Sequence, residues 1–95
     1  MDTLELLGSK ARLDILRELS RRDRYVSELM EAVGMDGKTA THHLDALTEA
    51  GVVDSYREGR RRYYTLVAEV ELAVSPPPNR RFVAQLSDAE RDETP

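Results

Sequence analysis

The chain has 95 residues, no cysteine and a formal net charge of −4. Such a length holds one domain with a small core, and the lack of cysteine excludes disulfide frameworks, thiolate metal sites and cysteine nucleophiles. No apolar run approaches the ~20 residues of a membrane span, and MDTLELLGSK lacks the features of a secretory signal, so a cytoplasmic protein without membrane contact is expected.

Thr3 to Leu7 predicts a short helix with Leu4 and Leu7 on one side and Gly8 at its end. Ser9 is placed to cap a longer helix, KARLDILRELSRR, whose Ala11, Ile15 and Leu19 recur every four residues with Leu16 beside them. Its arginines, Arg12, Arg17, Arg21 and Arg22, read mainly as a solvated face. Arg24-Tyr25 is expected to be a connector. Val26-Ser27 starts a second helix carrying Leu29, Met30 and Val33, and Gly34 suits the left-handed residue that closes it. Met35 plugs the turn, and Asp36 is the N-cap candidate for the next helix. Short helices joined by a Gly-containing turn of this kind form a helix-turn-helix.

The stretch 36–50, DGKTATHHLDALTEA, is the centre of the functional reading. Ala40, Leu44 and Leu47 repeat at four and three residues and are expected to face the core. Lys38, Thr39, Thr41, His42 and Asp45 occupy the other face, near the N-terminal end where groove-reading helices present their base contacts. An ordinary exposed amphipathic face would look similar, so the neighbouring segments decide. Val52, Val53 and Tyr56, a Glu58-Gly59 turn, then Tyr63 to Leu66 predict a β-hairpin. Arg57, Arg60, Arg61 and Arg62 crowd its tip. A cationic hairpin directly behind such a helix is suited to the DNA backbone or to a narrow minor groove, which attracts arginine.

Net acidity weighs less against this than the total suggests. Without residues 88–95, 14 acidic and 13 basic residues remain, and local charge governs phosphate contact more than the sum does.

Taken together, LGSKARLDILREL, VSELMEAVGM, KTATHHLDALTEAGVV and REGRRRYYTL resemble the ArsR-like winged helix-turn-helix transcriptional regulators over residues 4–67. The family's sequence of a hydroxyl residue, any residue, His-Leu, a later Leu and Ala-Gly-Leu/Val is matched by Thr41, His43-Leu44, Leu47 and Ala50-Gly51-Val52. The resemblance implies an α+β fold, mainly α, with a three-helix core and a β-hairpin wing, to which the alternation beyond the hairpin adds an extended C-terminal strand. It implies that Lys38, Thr39, Thr41 and His42 meet double-stranded DNA in the major groove, that the Arg-rich turn is the wing, and that repression is the usual mode. The chain departs from the metal-sensing members: the second helix has no Cys and the C-terminal segment no His. No metal or other cofactor is therefore expected, and the effector is open.

Beyond the hairpin, Tyr64, Leu66, Ala68, Val70, Leu72 and Val74 alternate with more polar residues. Period two argues for one long strand where the family commonly has a terminal helix. Pro76-Pro77-Pro78 stops it, Arg80 to Leu86 docks as a short segment, and the acidic tail from Ser87 is expected to be disordered. The expected organisation is a DNA-binding domain over 1–74 and a Pro-rich, acidic tail over 75–95.

An enzyme is not expected. His42 and His43 are neighbours ~100° apart on a helix, not the i, i+4 pair of a helical zinc site, and His43 reads as a packing residue. Gly34-Met35-Asp36-Gly37-Lys38-Thr39 is two residues short of a phosphate-binding loop and follows a helix, not a strand. The rival function is a winged helix used for protein–protein contact, against which the four wing arginines argue. A homodimer is expected because one helix-turn-helix reads few base pairs, with the strand 64–74 or the N-terminal helix as its interface.

Overall fold

A computed structural model describes residues 1–88. Helices α1 (Thr3–Leu7), α2 (Lys10–Arg21), α3 (Val26–Val33) and α4 (Gly37–Glu49) are followed by strands β2 (Val53–Glu58), β3 (Arg61–Leu66), β4 (Ala68–Val74) and β5 (Phe82–Asp88), while a two-residue β1 (Arg24–Tyr25) lies between α2 and α3. None of the described helices is long and apolar enough to cross a membrane. The fold is α+β, helical first and stranded after.

Each helix start has a local cause. Asp2 Oδ1 accepts the Glu5 N–H at 2.8 Å and Ser9 Oγ accepts the Arg12 N–H at 3.2 Å, each satisfying one of the N–H groups a helix start leaves unpaired. At α3 the cap is reversed: Glu28 reaches back to accept the Tyr25 N–H at 3.2 Å while Arg22 donates to its other oxygen at 2.8 Å. Arg22 and then the Tyr25 N–H hold the Glu28 carboxyl below its ordinary range. Gly34 ends α3 at φ +76°, where a Cβ would be strained, and its N–H donates to Met30 O at 2.9 Å.

The core gathers Leu6 and Leu7 of α1, Ile15, Leu16 and Leu19 of α2, Leu29 of α3, Ala40, Leu44 and Leu47 of α4, and Val52, Val53 and Tyr64 beside the sheet. The stripe expected on α4 is therefore buried, that on α2 is buried at Ile15, Leu16 and Leu19 but only half-buried at Ala11, and Met35 packs against the same cluster. In α1 the expectation needs correction. Leu6 joins Leu7 in the core and Leu4 stays 53% exposed. So short a helix is oriented by what it docks against, here α2 and β5.

Two further expectations change. Arg24-Tyr25 is not a simple connector, because it pairs antiparallel with β3, Arg24 against Tyr64 and Tyr25 against Tyr63, making the order β1-β3-β2. The expected strand over 64–74 is extended but broken. β3 ends at Leu66, the Val67 N–H donates to Val52 O at 3.0 Å, and β4 then joins a different sheet. There it pairs with β5 in unbroken register from Ala68 against Asp88 to Val74 against Phe82. The docking segment expected over 80–86 is thus strand from Phe82 onward, and the boundary expected between 74 and 75 falls inside a hairpin. Ser87 and Asp88, expected to begin the disordered tail, are instead held in β5 by pairing with Glu69 and Ala68, and residues 89–95 lie outside the described residues.

Candidate nucleic-acid interface

Helix α4 is held from both ends and from one side. Asp36 caps it, its Oδ1 accepting the Thr39 N–H at 2.7 Å. That backbone bond, then the Thr39 hydroxyl, keep the Asp36 carboxyl below its usual range. Ala40, Leu44 and Leu47 are fully buried, and the small Ala40 allows close approach to the neighbouring helix. The opposite side is open: Lys38, Thr39, Thr41, His42 and Asp45 are all exposed. Four of them, Lys38, Thr41, His42 and Asp45, follow the i, i+3, i+4, i+7 spacing that lines one helix face. Thr39 stands to the side of this stripe, partly engaged with its own cap.

His43 is not part of the open face. It is half-buried, with Nδ1 3.4 Å from Arg12 Nη1 and its ring 5.5 Å from that of His42. Burial first, then the Arg12 and His42 charges, push its pKa below 6.5. Arg12 does more than form a solvated face. Its Nε donates to Leu6 O at 2.7 Å and its Nη2 to Glu5 O at 2.8 Å, so it closes the C-terminal end of α1 against α4. Sequence reasoning did not find this role, since nothing local links residues 12 and 43.

The β2–β3 hairpin turns through Gly59 and Arg60. Gly59 lies at φ +65°, as the first position of a tight two-residue hairpin turn favours. Arg57, Arg60, Arg61 and Arg62 are all exposed, but the register divides them. Arg57 opposes Arg62, and directly opposed residues share a face. That face is the one carrying Val53, Ser55, Tyr64 and Leu66, so the Arg57–Arg62 pair extends the core-facing side beyond the core. Glu58 opposes Arg61, on the outer face with Tyr56 and Tyr63. Arg61 is also engaged, its Cζ 4.4 Å above the Tyr25 ring. Among the described residues, no acidic group lies within ion-pair distance of Arg57, Arg60 or Arg62.

An aromatic brace holds this hairpin. Tyr56 and Tyr63 stack at 5.6 Å, and Tyr25 meets Tyr63 edge-on at 5.5 Å. The Tyr56 hydroxyl donates to Asp23 Oδ2 at 2.6 Å, a bond that helps push its pKa up to about 12. The base of the wing is thereby tied to the residues just before α3. In the sequence only the placement of Tyr56 and Tyr63 on either side of the Gly turn hints at this; the contribution of Asp23 and Tyr25 appears only when β1 pairs.

Comparison with known proteins places this geometry. Residues 9–55 match the model described as bacterial regulatory protein, arsR family. The HTH-type transcriptional regulator Rv0324 of Mycobacterium tuberculosis is 40% identical over 63 residues, which are 66% of this chain and 28% of that protein. The homodimeric winged helix-turn-helix DNA-binding domain of Mb0332 from Mycobacterium bovis is 38% identical with a TM-score of 0.64, covering 67% of this chain and 59% of that one. A possible transcriptional regulator for arsenical resistance superposes with a TM-score of 0.65 at 32% identity, over 70% of this chain and 69% of that one. The chain spans 28% to 55% of the length of the curated relatives it matches. The chain belongs to the ArsR family of bacterial regulatory proteins, with the winged helix-turn-helix fold.

Proposed function

We propose that the protein is a sequence-specific DNA-binding transcriptional regulator, a repressor that works as a homodimer in the cytoplasm. The observation that carries this is the pairing of α4 with the wing. The outer stripe of α4 is wholly exposed while its inner face is fully buried, and four exposed arginines, none ion-paired among the described residues, stand on the adjoining hairpin. A polar stripe at a helix N-terminal end suits base edges in the major groove. Guanidinium groups on a braced hairpin suit phosphates or a narrow minor groove.

In this reading Lys38, Thr39, Thr41, His42 and Asp45 contact bases and nearby phosphates. Arg57, Arg60 and Arg62 supply most of the phosphate attraction, and Arg61 contributes less because Tyr25 already holds it. These parts lie within residues 1–74, with the C-terminal segment as an accessory. Support for a homodimer comes from the homodimeric state of the Mb0332 domain and from the few base pairs one recognition helix can read. A two-fold pair would address half-sites about 34 Å apart, one helical turn of DNA.

Duplex binding measured across a salt series tests the proposal, using a mixed genomic DNA pool. The logarithm of affinity is expected to fall linearly with the logarithm of salt, by about 0.9 for each phosphate neutralised. Failure to bind at low salt, or binding indifferent to salt, would refute it and favour a protein–protein module.

A further inference from the structure

The β4–β5 hairpin carries an apolar stripe that the fold only half uses. Val70 faces Leu86, Leu72 faces Ala84 and Val74 faces Phe82, so all six lie on one side. The inner pair, Val70 and Leu86, packs against the core. Further out the stripe runs beyond the core: Leu72 is 54% exposed, Val74 73% and Phe82 61%. At its inner end it meets an open cleft of about 780 Å³ between α2 and the hairpin, with Leu13, Leu16 and Leu66 among its walls.

We infer that this face is the homodimer interface, the occupant being the same face of a second copy of the chain; the inference rests on the DNA-binding reading above. Three observations converge on a second copy. The first is area. At their exposures Leu72, Val74 and Phe82 offer roughly 300 Å² of apolar surface, scaled from about 150–250 Å² for a whole aromatic side chain. A standard interface takes about 800 Å² from each partner, of which about 65% is apolar in homodimers. Three side chains therefore supply more than half of the apolar area required.

The second observation is self-complementarity. A two-fold interface sets a patch against its own copy, which like charges would oppose. Here all six residues of the stripe are uncharged, and the Arg81–Glu71 ion pair at 3.4 Å belongs to the opposite side of the hairpin. The third is position. The hairpin packs on the α1–α2 side of the molecule, leaving the stripe of α4 and the wing open for DNA. An isolated two-stranded sheet is also marginal in water, and covering its apolar face would stabilise it.

Sedimentation of the full chain without DNA provides the test, across low-micromolar concentrations. The unmodified protein is expected to be a dimer. Leu72→Glu and Phe82→Glu are each expected to raise the dimer dissociation constant by ~30-fold or more, as loss of a central interface side chain does. Val74→Arg, at the most exposed of the three positions, should act likewise while keeping the unmodified protein's cooperative melting. A monomeric parent protein overturns the inference. So does a dimer that survives all three substitutions, or one lost on Leu4→Glu in α1 but kept in the hairpin variants. A dimer that forms yet shows no affinity for DNA would refute the preceding reading and leave this one standing.

Discussion

The four wing arginines look alike in sequence, yet the hairpin register predicts that they are unequal. Arg57, Arg60 and Arg62 have no acidic partner among the described residues, whereas Arg61 lies 4.4 Å above Tyr25 on the outer face. If each of the three meets one phosphate, its replacement by Ala lowers the slope of log affinity against log salt by about 0.9, and the triple variant loses about 2.7. Between 50 and 200 mM salt, a fourfold change, that difference alters the affinity ratio of parent to triple variant by roughly 40-fold. The ratio is largest at low salt, where counterion release is most favourable. Fluorescence anisotropy on one duplex at several salt concentrations measures both slopes. Arg61→Ala is expected to change the slope by less than half as much as any other single replacement. Equal effects from all four arginines, or a triple variant with the parental slope, would refute the division by face and by the Tyr25 contact.

Replacing Thr41 or His42 with Ala should change which sequences are selected from a random duplex pool, because base contacts specify while phosphate contacts position. A uniform loss on all sequences would contradict that assignment. His43 predicts a pH dependence of stability. Its folded pKa lies below 6.5 through burial and Arg12, so below that value the unfolded chain takes up the proton more readily. Its contribution is complete above about 6.5 and is lost as pH falls from there to the depressed folded value. Urea unfolding from pH 7.5 to 5 should show the loss, and His43→Gln should reduce it; an unchanged pH profile in that variant would exclude His43 as its source.

Local periodicity carried much of this protein. Ile15, Leu16 and Leu19, then Ala40, Leu44 and Leu47, were legible as buried stripes because helical spacing and core burial are the same fact seen in one and three dimensions. Ser9, Gly34 and Asp36 were legible because caps and left-handed turns depend on the residue itself and its immediate neighbours. The exposed stripe from Lys38 to Asp45 and the arginine-rich tip followed from those elements.

What the sequence left undecided were pairings between residues far apart in it. Arg24-Tyr25 looked like a connector because two residues carry no period, and only β3 makes them a strand. The alternation from Tyr64 to Val74 was real, but period two does not say which sheet a strand joins; the break at Val67 and the partner β5 were decided by tertiary contacts. The same holds for Arg12 beside His43, for the Tyr56–Asp23 brace, and for the separation of Arg61 from the other wing arginines. Local propensity acts within a few residues along the chain, so it determined the helices and the recognition stripe. Register and side-chain encounter act across the fold, so the aim of the wing and the unfilled face of the C-terminal hairpin belong to the tertiary structure alone.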